Sequence, residues 1–215
     1  MSNAKITTKD DNPAIQRSES EIKVSHKTEV LSTLKNHFLI AMPSLTDPYF
    51  KQSVVYVCEH DAGGAMGFII NFPVKLTLQE LLNNVETISH QPEPPLLGPV
   101  FLGGPLELER GFVLHSPAAD NSQSTQLNEQ LMMSNSNAVL SSLGTENAPE
   151  QYIVTLGYAS WEAGQLEQEI KDNHWLTIKS ENDIIFNTPV EKRWTESLHR
   201  LGINPDQLST STGHA

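Results

Sequence analysis

Residues 37–71 read HFLIAMPSLTDPYFKQSVVYVCEHDAGGAMGFIIN, three apolar runs divided by a Pro/Asp loop and a glycine turn. The first run, His37 to Met42, is stopped by Pro43, and Pro43-Ser44-Leu45-Thr46-Asp47-Pro48 carries turn chemistry. In the second, Val54, Tyr56 and Cys58 fall on one face of an extended chain, and Val55 and Val57 fall on the other. Apolar side chains on both faces mark a strand covered from both sides, hence a central one. Asp61-Ala62-Gly63-Gly64 supplies the positive-φ freedom needed for a reversal, so Ala65 to Ile70 is expected to pair back as a hairpin.

Downstream, Thr77-Leu78-Gln79-Glu80 is a capping-box pattern followed by Leu81, Leu82 and Val85, which predicts a short amphipathic helix over 77–85. Gln91 to Pro95 is a proline-rich connector, and Pro99 to Leu102 and Gly111 to His115 read as short strands around Gly103-Gly104-Pro105. Asp120 to Thr125 reads as an exposed loop, 126–133 fits no single class, and Ala138-Val139-Leu140 suggests a helix from near Ser134. Gln151 to Tyr158 reads as a strand, with Ser160 capping a helix from Trp161 to about Asp172. Asp183 to Phe186 reads as a last strand, and Thr188-Pro189-Val190-Glu191 as the start of a helix continued by Trp194, Leu198 and Leu201 up to Gly202. Strands outnumber helices and two of them form a hairpin. The expected fold is therefore α+β, a single domain with a mixed, largely antiparallel sheet and several short helices.

The first 36 of the 215 residues carry only scattered apolar side chains, so residues 1–36 are expected to be a disordered arm and 37–215 the domain. The arm lacks the apolar core of a signal peptide, and no run approaches the roughly 18 apolar residues that span a bilayer. A soluble, cytoplasmic protein with no membrane contact is expected. Cys58 is the only cysteine, which rules out an intramolecular disulfide and suits a reducing compartment. From His37 onward eight Lys/Arg face twenty-one Asp/Glu, a net charge of minus 13. So acidic a body repels the phosphate backbone and disfavours direct nucleic-acid binding.

Several groups suggest chemistry, each beside a plainer role. Cys58, Glu59 and His60 place a thiol and an imidazole two residues apart, as a nucleophile and base or half of a metal site would. No C-x-x-C, H-x-x-x-H or H-E-x-x-H completes a metal set, and a buried strand cysteine is the simpler account. Gly103-Gly104-Pro105 offers backbone amides to an anion, yet it is neither a P-loop nor G-x-G-x-x-G, and a tight connection explains it equally. His115-Ser116 pairs a base with a hydroxyl but lacks a third member. Trp161, Gln165 and Glu169, four residues apart, suit a partner-binding stripe, although packing is the commoner use of such a Trp. Glu107 and Glu109 beside Arg110 read as a solvated turn.

Taken in order, these stretches resemble the YqgE/AlgH family of bacterial proteins. The match runs through Leu39-Ile40-Ala41-Met42-Pro43, Asp47-Pro48, Cys58-Glu59-His60, Gly64-Ala65-Met66-Gly67 and Ile70-Asn71. It continues through Gly103-Gly104-Pro105, Gly111 to Ser116, Leu156-Gly157-Tyr158-Ala159, Trp161 with Gly164-Gln165-Leu166-Glu167, Trp175-Leu176 and Gly213-His214-Ala215. The resemblance implies a branched, partly barrel-like sheet in a cytosolic bacterial protein commonly labelled a transcriptional regulator. It implies no established reaction, cofactor or catalytic residue. Phe72 departs from the pattern, standing where the family usually has Arg, and Ser160 and Glu162 flank Trp161 where small residues are usual.

Together these observations favour a non-enzymatic binding or regulatory protein that acts through a protein partner, with no cofactor and no metal. The rival reading is a small-molecule or anion-binding protein or enzyme. Its site would gather Asp47, Cys58, Glu59, His60, Asn71, Gly103, Gly104 and His115, with Trp161 and Gln165 as partner contacts.

Overall fold

The alternation in residues 37–71 becomes the two faces of a sheet. Phe38, Ile40, Val54, Tyr56, Cys58, Phe68 and Ile70 enter one core cluster, and Leu39, Ala41, Val55, Val57 and Ile69 enter another. A computed structural model describes residues 33–85, 92–93 and 95–208. The arm before residue 33 and the closing Gly213-His214-Ala215 lie outside the described residues. Residues 33–36, assigned to the arm by composition, are held against the sheet: Asn36 donates its amide to the Val57 carbonyl (2.9 Å) and its Nδ2 to the Leu127 carbonyl (3.1 Å).

The described strands are β1 (His37–Ala41), β2 (Val54–Asp61), β3 (Gly64–Ile69), β4 (Pro73–Thr77), β5 (Pro99–Leu102), β6 (Leu106–His115), β7 (Thr125–Asn128), β8 (Leu131–Ser134), β9 (Tyr152–Glu162) and β10 (Trp175–Lys179). The helices are α1 (Leu78–Asn84), α2 (Asn137–Ser142), α3 (Gln165–Lys171), α4 (Asn182–Phe186), α5 (Arg193–Arg200) and α6 (Pro205–Leu208). The main path of the sheet runs β10-β1-β2-β3-β9-β6-β8-β7, with β4 and β5 branching off. It curls into a half-barrel, the α+β single domain expected from the sequence. β2 pairs with β1 and β3, as its two-faced pattern requires, and the β2–β3 hairpin forms.

The branch point is β9. Its first half pairs with β6 antiparallel and with β5 in parallel, and Ala159 to Glu162 pair with β3. Between the halves Gly157 adopts φ +72°, a left-handed conformation that side chains disfavour. Gly103 and Gly104 cross the strand there, backbone against backbone. A Cβ at Gly103 would lie 2.2 Å from the Gly157 carbonyl oxygen, and one at Gly104 only 2.1 Å from the Tyr158 carbonyl carbon.

Several local expectations are corrected. Pairing with β3 carries β9 on to Glu162, so Ser160 caps no helix and Trp161 is a strand residue; the helix starts at Gln165, after Gly164 at φ +77°. Residues 183–186 belong to α4, because a short apolar run such as Ile184-Ile185 packs equally well from a helix, and the Asp183 carbonyl closes the turn on Asn187 and Thr188 (both 2.9 Å). The helix expected from Thr188 starts later: the Thr188 hydroxyl donates to the Asp183 carbonyl (3.2 Å), and a 3-10 turn over Val190–Lys192 precedes α5. β6 starts at Leu106, with Glu107 to Arg110 bulged out of the ladder between the Leu106 and Gly111 pairs. Residues 126–133 belong to the β7–β8 pair, and β4 and β10, which propensity did not reveal, are strands by pairing. α2 is capped by Ser136, since the Ser134 hydroxyl donates to the Gln123 carbonyl (3.0 Å). The capping box at Thr77 and Glu80 forms as read.

The glycine crossing yields a direct test. Gly104→Ala is expected to destabilise the domain by about 3 kcal/mol or more, because backbone rather than a yielding side chain must move. Gly98→Ala, where an added Cβ meets nothing within 4 Å, is expected to change little. Urea midpoints of the two variants check both.

Candidate functional site

Three residues after Val190, the helical period carries a cation into the core. Arg193 opens α5, and with Ser197 one turn later it faces inward beside Leu198. Ser197 Oγ donates to the Arg193 carbonyl (2.7 Å), and Trp194 Nε1 donates to the Ala41 carbonyl of β1 (2.9 Å), which seats the helix on the sheet. At 4% exposure, Arg193 is the one Asp, Glu, Lys or Arg in the buried class among the described residues.

No carboxylate of a described residue pairs with it. Its Nε donates to the Thr188 carbonyl (3.1 Å) and its Nη1 to the Ile70 carbonyl, while its Cζ lies 5.0 Å from the centre of the Phe101 ring. Carbonyl dipoles and a ring face offset only part of the several kcal/mol that burying an unpaired ion costs. Burial accordingly pulls the guanidinium down to about 10, with Glu191 acting in the opposite sense. The side chain remains charged at neutral pH.

This cation lines a cavity of about 460 Å³. Phe101, Ile153 and Val154 form one wall, from β5 and β9. Leu78 and residues 95–99 form a second, and Phe186 to Val190 close it from the α4–α5 connection. Leu97, 75% exposed, stands among the lining residues as an apolar lip. The volume lies within the range of small-molecule sites, about 300–1,000 Å³.

The residues singled out from sequence do not assemble into one site. Asp47 Oδ1 accepts from the Tyr49 amide (2.8 Å) and shapes its own loop. Asn71 clips the start of β2, accepting from the Val54 amide (2.8 Å) and donating to the Gln52 carbonyl (2.9 Å). Cys58 is buried at a register shift in β2, with Sγ donating to the Met66 carbonyl (3.3 Å). Burial, reinforced by Glu59, pushes its thiol up to about 12, so a thiolate nucleophile is not available near neutral pH.

His60 Nδ1 accepts from the Leu34 amide (2.8 Å), which leaves its proton on Nε2, donated to Glu167 Oε1 (2.9 Å). His115 has the opposite tautomer. Nδ1 donates to the Ser116 carbonyl (2.8 Å) and Nε2 accepts from the Ser124 hydroxyl (3.1 Å), with burial lowering its pKa. Through the ladders His60 lies across from Trp161, at one end of β9, and His115 across from Tyr152 at the other, ~30 Å apart along the strand. His115 lines a separate cavity of about 360 Å³. The Gly103 amide is taken by the Leu156 carbonyl (2.7 Å), and the crossing at Gly103 and Gly104 is filled by the β9 backbone.

Trp161 and Gln165 do meet, through Glu169. Its Oε2 accepts from Trp161 Nε1 (2.9 Å) and Trp175 Nε1 (2.8 Å), and its Oε1 accepts from Gln165 Nε2 (2.9 Å). Both indoles are buried around Phe50, which makes this the core beneath α3. Phe72 packs against the same cluster. Glu59 and Trp161 share a shallow groove of about 350 Å³. Glu107, read as part of a solvated turn, pairs with Arg110 (3.0 Å) on the bulge and accepts from the Tyr158 hydroxyl (3.1 Å).

The profile of the AlgH-like family matches residues 38–206. The chain belongs to that family. This AlgH-like chain is 51% identical over 185 residues to a UPF0301 protein of Pseudoalteromonas translucida, covering 86% of this chain and all of that one. A UPF0301 protein of Vibrio cholerae is 48% identical over 185 residues, covering 85% and 99%. Among solved structures, the solution structure of the Pseudomonas aeruginosa AlgH protein superposes with a TM-score of 0.71 at 42% identity, covering 88% of this AlgH-like chain and all of the other. A Corynebacterium diphtheriae protein shares the fold, with a TM-score of 0.64 at 22% identity over 81% and 91% of the two chains.

Sequence reasoning missed Arg193, which looks like an ordinary solvated helix cation. Its spacing was the available signal: three residues after Val190 and four before Ser197, it shares their face.

Cys58 supplies a prediction. The unfolded chain releases the thiol proton near the ordinary value of 9.0, whereas the fold keeps it up to about 12. The unfolded state therefore holds fewer protons between those values, and the contribution is complete below pH 9 and declines as pH rises towards 12. Urea midpoints are expected to fall over that window in wild type and less steeply in Cys58→Ala. At pH 8, alkylation of native Cys58 is expected to run roughly a thousandfold or more slower than in the denatured chain.

Proposed function

We propose that this protein works by binding rather than by covalent catalysis, and that its ligand site is the cavity lined by Arg193. The observation that carries this reading is a buried, charged guanidinium with no carboxylate partner among the described residues, on the wall of a cavity of small-molecule size. A charge held at such a cost with no carboxylate in contact, and only Glu191 acting on it from farther away, is the kind of group that ligand sites keep. Support also comes from the thiol and the imidazoles, whose donors and acceptors are engaged within the fold. The output is proposed to pass to a protein partner rather than to DNA, because the acidic body repels a phosphate backbone.

A titrated thermal-shift panel of anions, nucleotides and metabolite-like acids tests the site. A ligand at about a hundred times its Kd adds roughly 2.7 kcal/mol of stability. In Arg193→Met the relief of desolvation offsets the two carbonyls left without a donor, so unfolding stays cooperative and within about 2 kcal/mol of wild type. The ligand-dependent shift is expected to vanish in that variant. A wild type that responds to nothing, together with a variant that loses its fold, would make Arg193 a structural strut and sink the reading.

A further inference from the structure

Taking the Arg193 cavity as the binding site proposed above, we infer that it accepts a monoanionic carboxylate on a short apolar body, the carboxylate meeting Nη2 of Arg193 and the body lying along Leu96, Phe186 and Val190. The donor inventory selects the head group. Nε and one of the two N–H groups of Nη1 are spent on the Thr188 and Ile70 carbonyls. Nη2 makes no hydrogen bond to a described residue and is not among the enclosed atoms lacking a partner, so it opens on the cavity that Arg193 lines. One charge and one free donor nitrogen match a single carboxylate. A phosphate dianion calls for further cations, and no other Lys or Arg lines the cavity among the described residues.

The walls select the rest of the molecule. Leu96, Phe186 and Val190 present hydrocarbon on one part of the lining, beside the polar Tyr152, Asn187 and Thr188, which suits a short aliphatic or aromatic body. Leu97 continues that surface to the mouth.

Burial also sets an unusual salt response. An anion approaching the protein meets long-range repulsion from a body at minus 13, which salt screens, and then a buried cation, which salt screens little. Affinity for the carboxylate therefore holds or rises with ionic strength.

Amide spectra of the isotopically labelled full chain, titrated with hexanoate, hexanamide and hexyl phosphate, test the ligand class. Hexanoate is expected to give saturable shifts at Gly98, Thr188 and Val190, with affinity unchanged or tighter on going from about 0.05 to about 0.5 M salt. Hexanamide, lacking the charge-assisted bond, is expected to bind about tenfold to a hundredfold more weakly at the same residues. Leu97→Arg and Leu97→Asp, both at an exposed lip, are expected to move hexanoate affinity about twofold up and down and to leave hexanamide unmoved.

Equal binding of acid and amide would overturn the carboxylate assignment while leaving the cavity as a site. Tighter binding of hexyl phosphate would overturn it in favour of a phosphate ligand. Loss of hexanoate affinity with salt would place the contact on the surface. Absence of saturable shifts at all three residues with every probe would remove the cavity itself as the site.

Discussion

The fold depends on the approach of two backbones at the middle of β9. One strand serves β6 along one edge and β5 and then β3 along the other, which is possible only if its direction changes partway and the neighbours cross at main-chain distance. Gly157 supplies the left-handed kink, and Gly103 and Gly104 supply the missing side chains at the crossing. The Gly103 amide bonds to Leu156 and its carbonyl accepts from the Ile69 amide, both at 2.7 Å, so the crossing is itself hydrogen-bonded into both branches. A motif that resembles an anion cradle in sequence is here consumed by the protein's own main chain.

That branching creates the cavity. Because β5 lies parallel to β9 at the edge that β3 leaves free, Phe101 and Val154 face a space that α5 covers from one side and the residues around Leu78 and Leu96 from another. The covering helix is anchored by Leu198 in the core and by the Trp194 bond to β1, and this anchoring drives Arg193 inward. A guanidinium in that position is expensive, and the fold meets the expense only in part with two carbonyls and a ring face. The polar network on the opposite face differs in kind. Half-buried Glu169 accepts from two indoles and from the amide of exposed Gln165, so its carboxylate is engaged within the fold.

Much was legible in the sequence wherever one local rule sufficed. Alternation in residues 37–70 determined the central strand, the hairpin and the assignment of side chains to two cores, because the side-chain period of a strand is two whatever lies around it. The capping box at Thr77 formed because both of its bonds lie within four residues. Motif order in the chain determined the family, and the charge count the repulsion of phosphate backbones. Tertiary structure decided what depends on neighbours distant in sequence. Pairing with β3 carried Trp161 into a strand, a wall of sheet made Ile184 and Ile185 helical, and the crossing closed the glycine turn to ligands. It also spread His60 and His115 to opposite ends of β9 and brought Arg193 onto a cavity wall, since a helix's periodicity says which residues share a face but not what that face will meet.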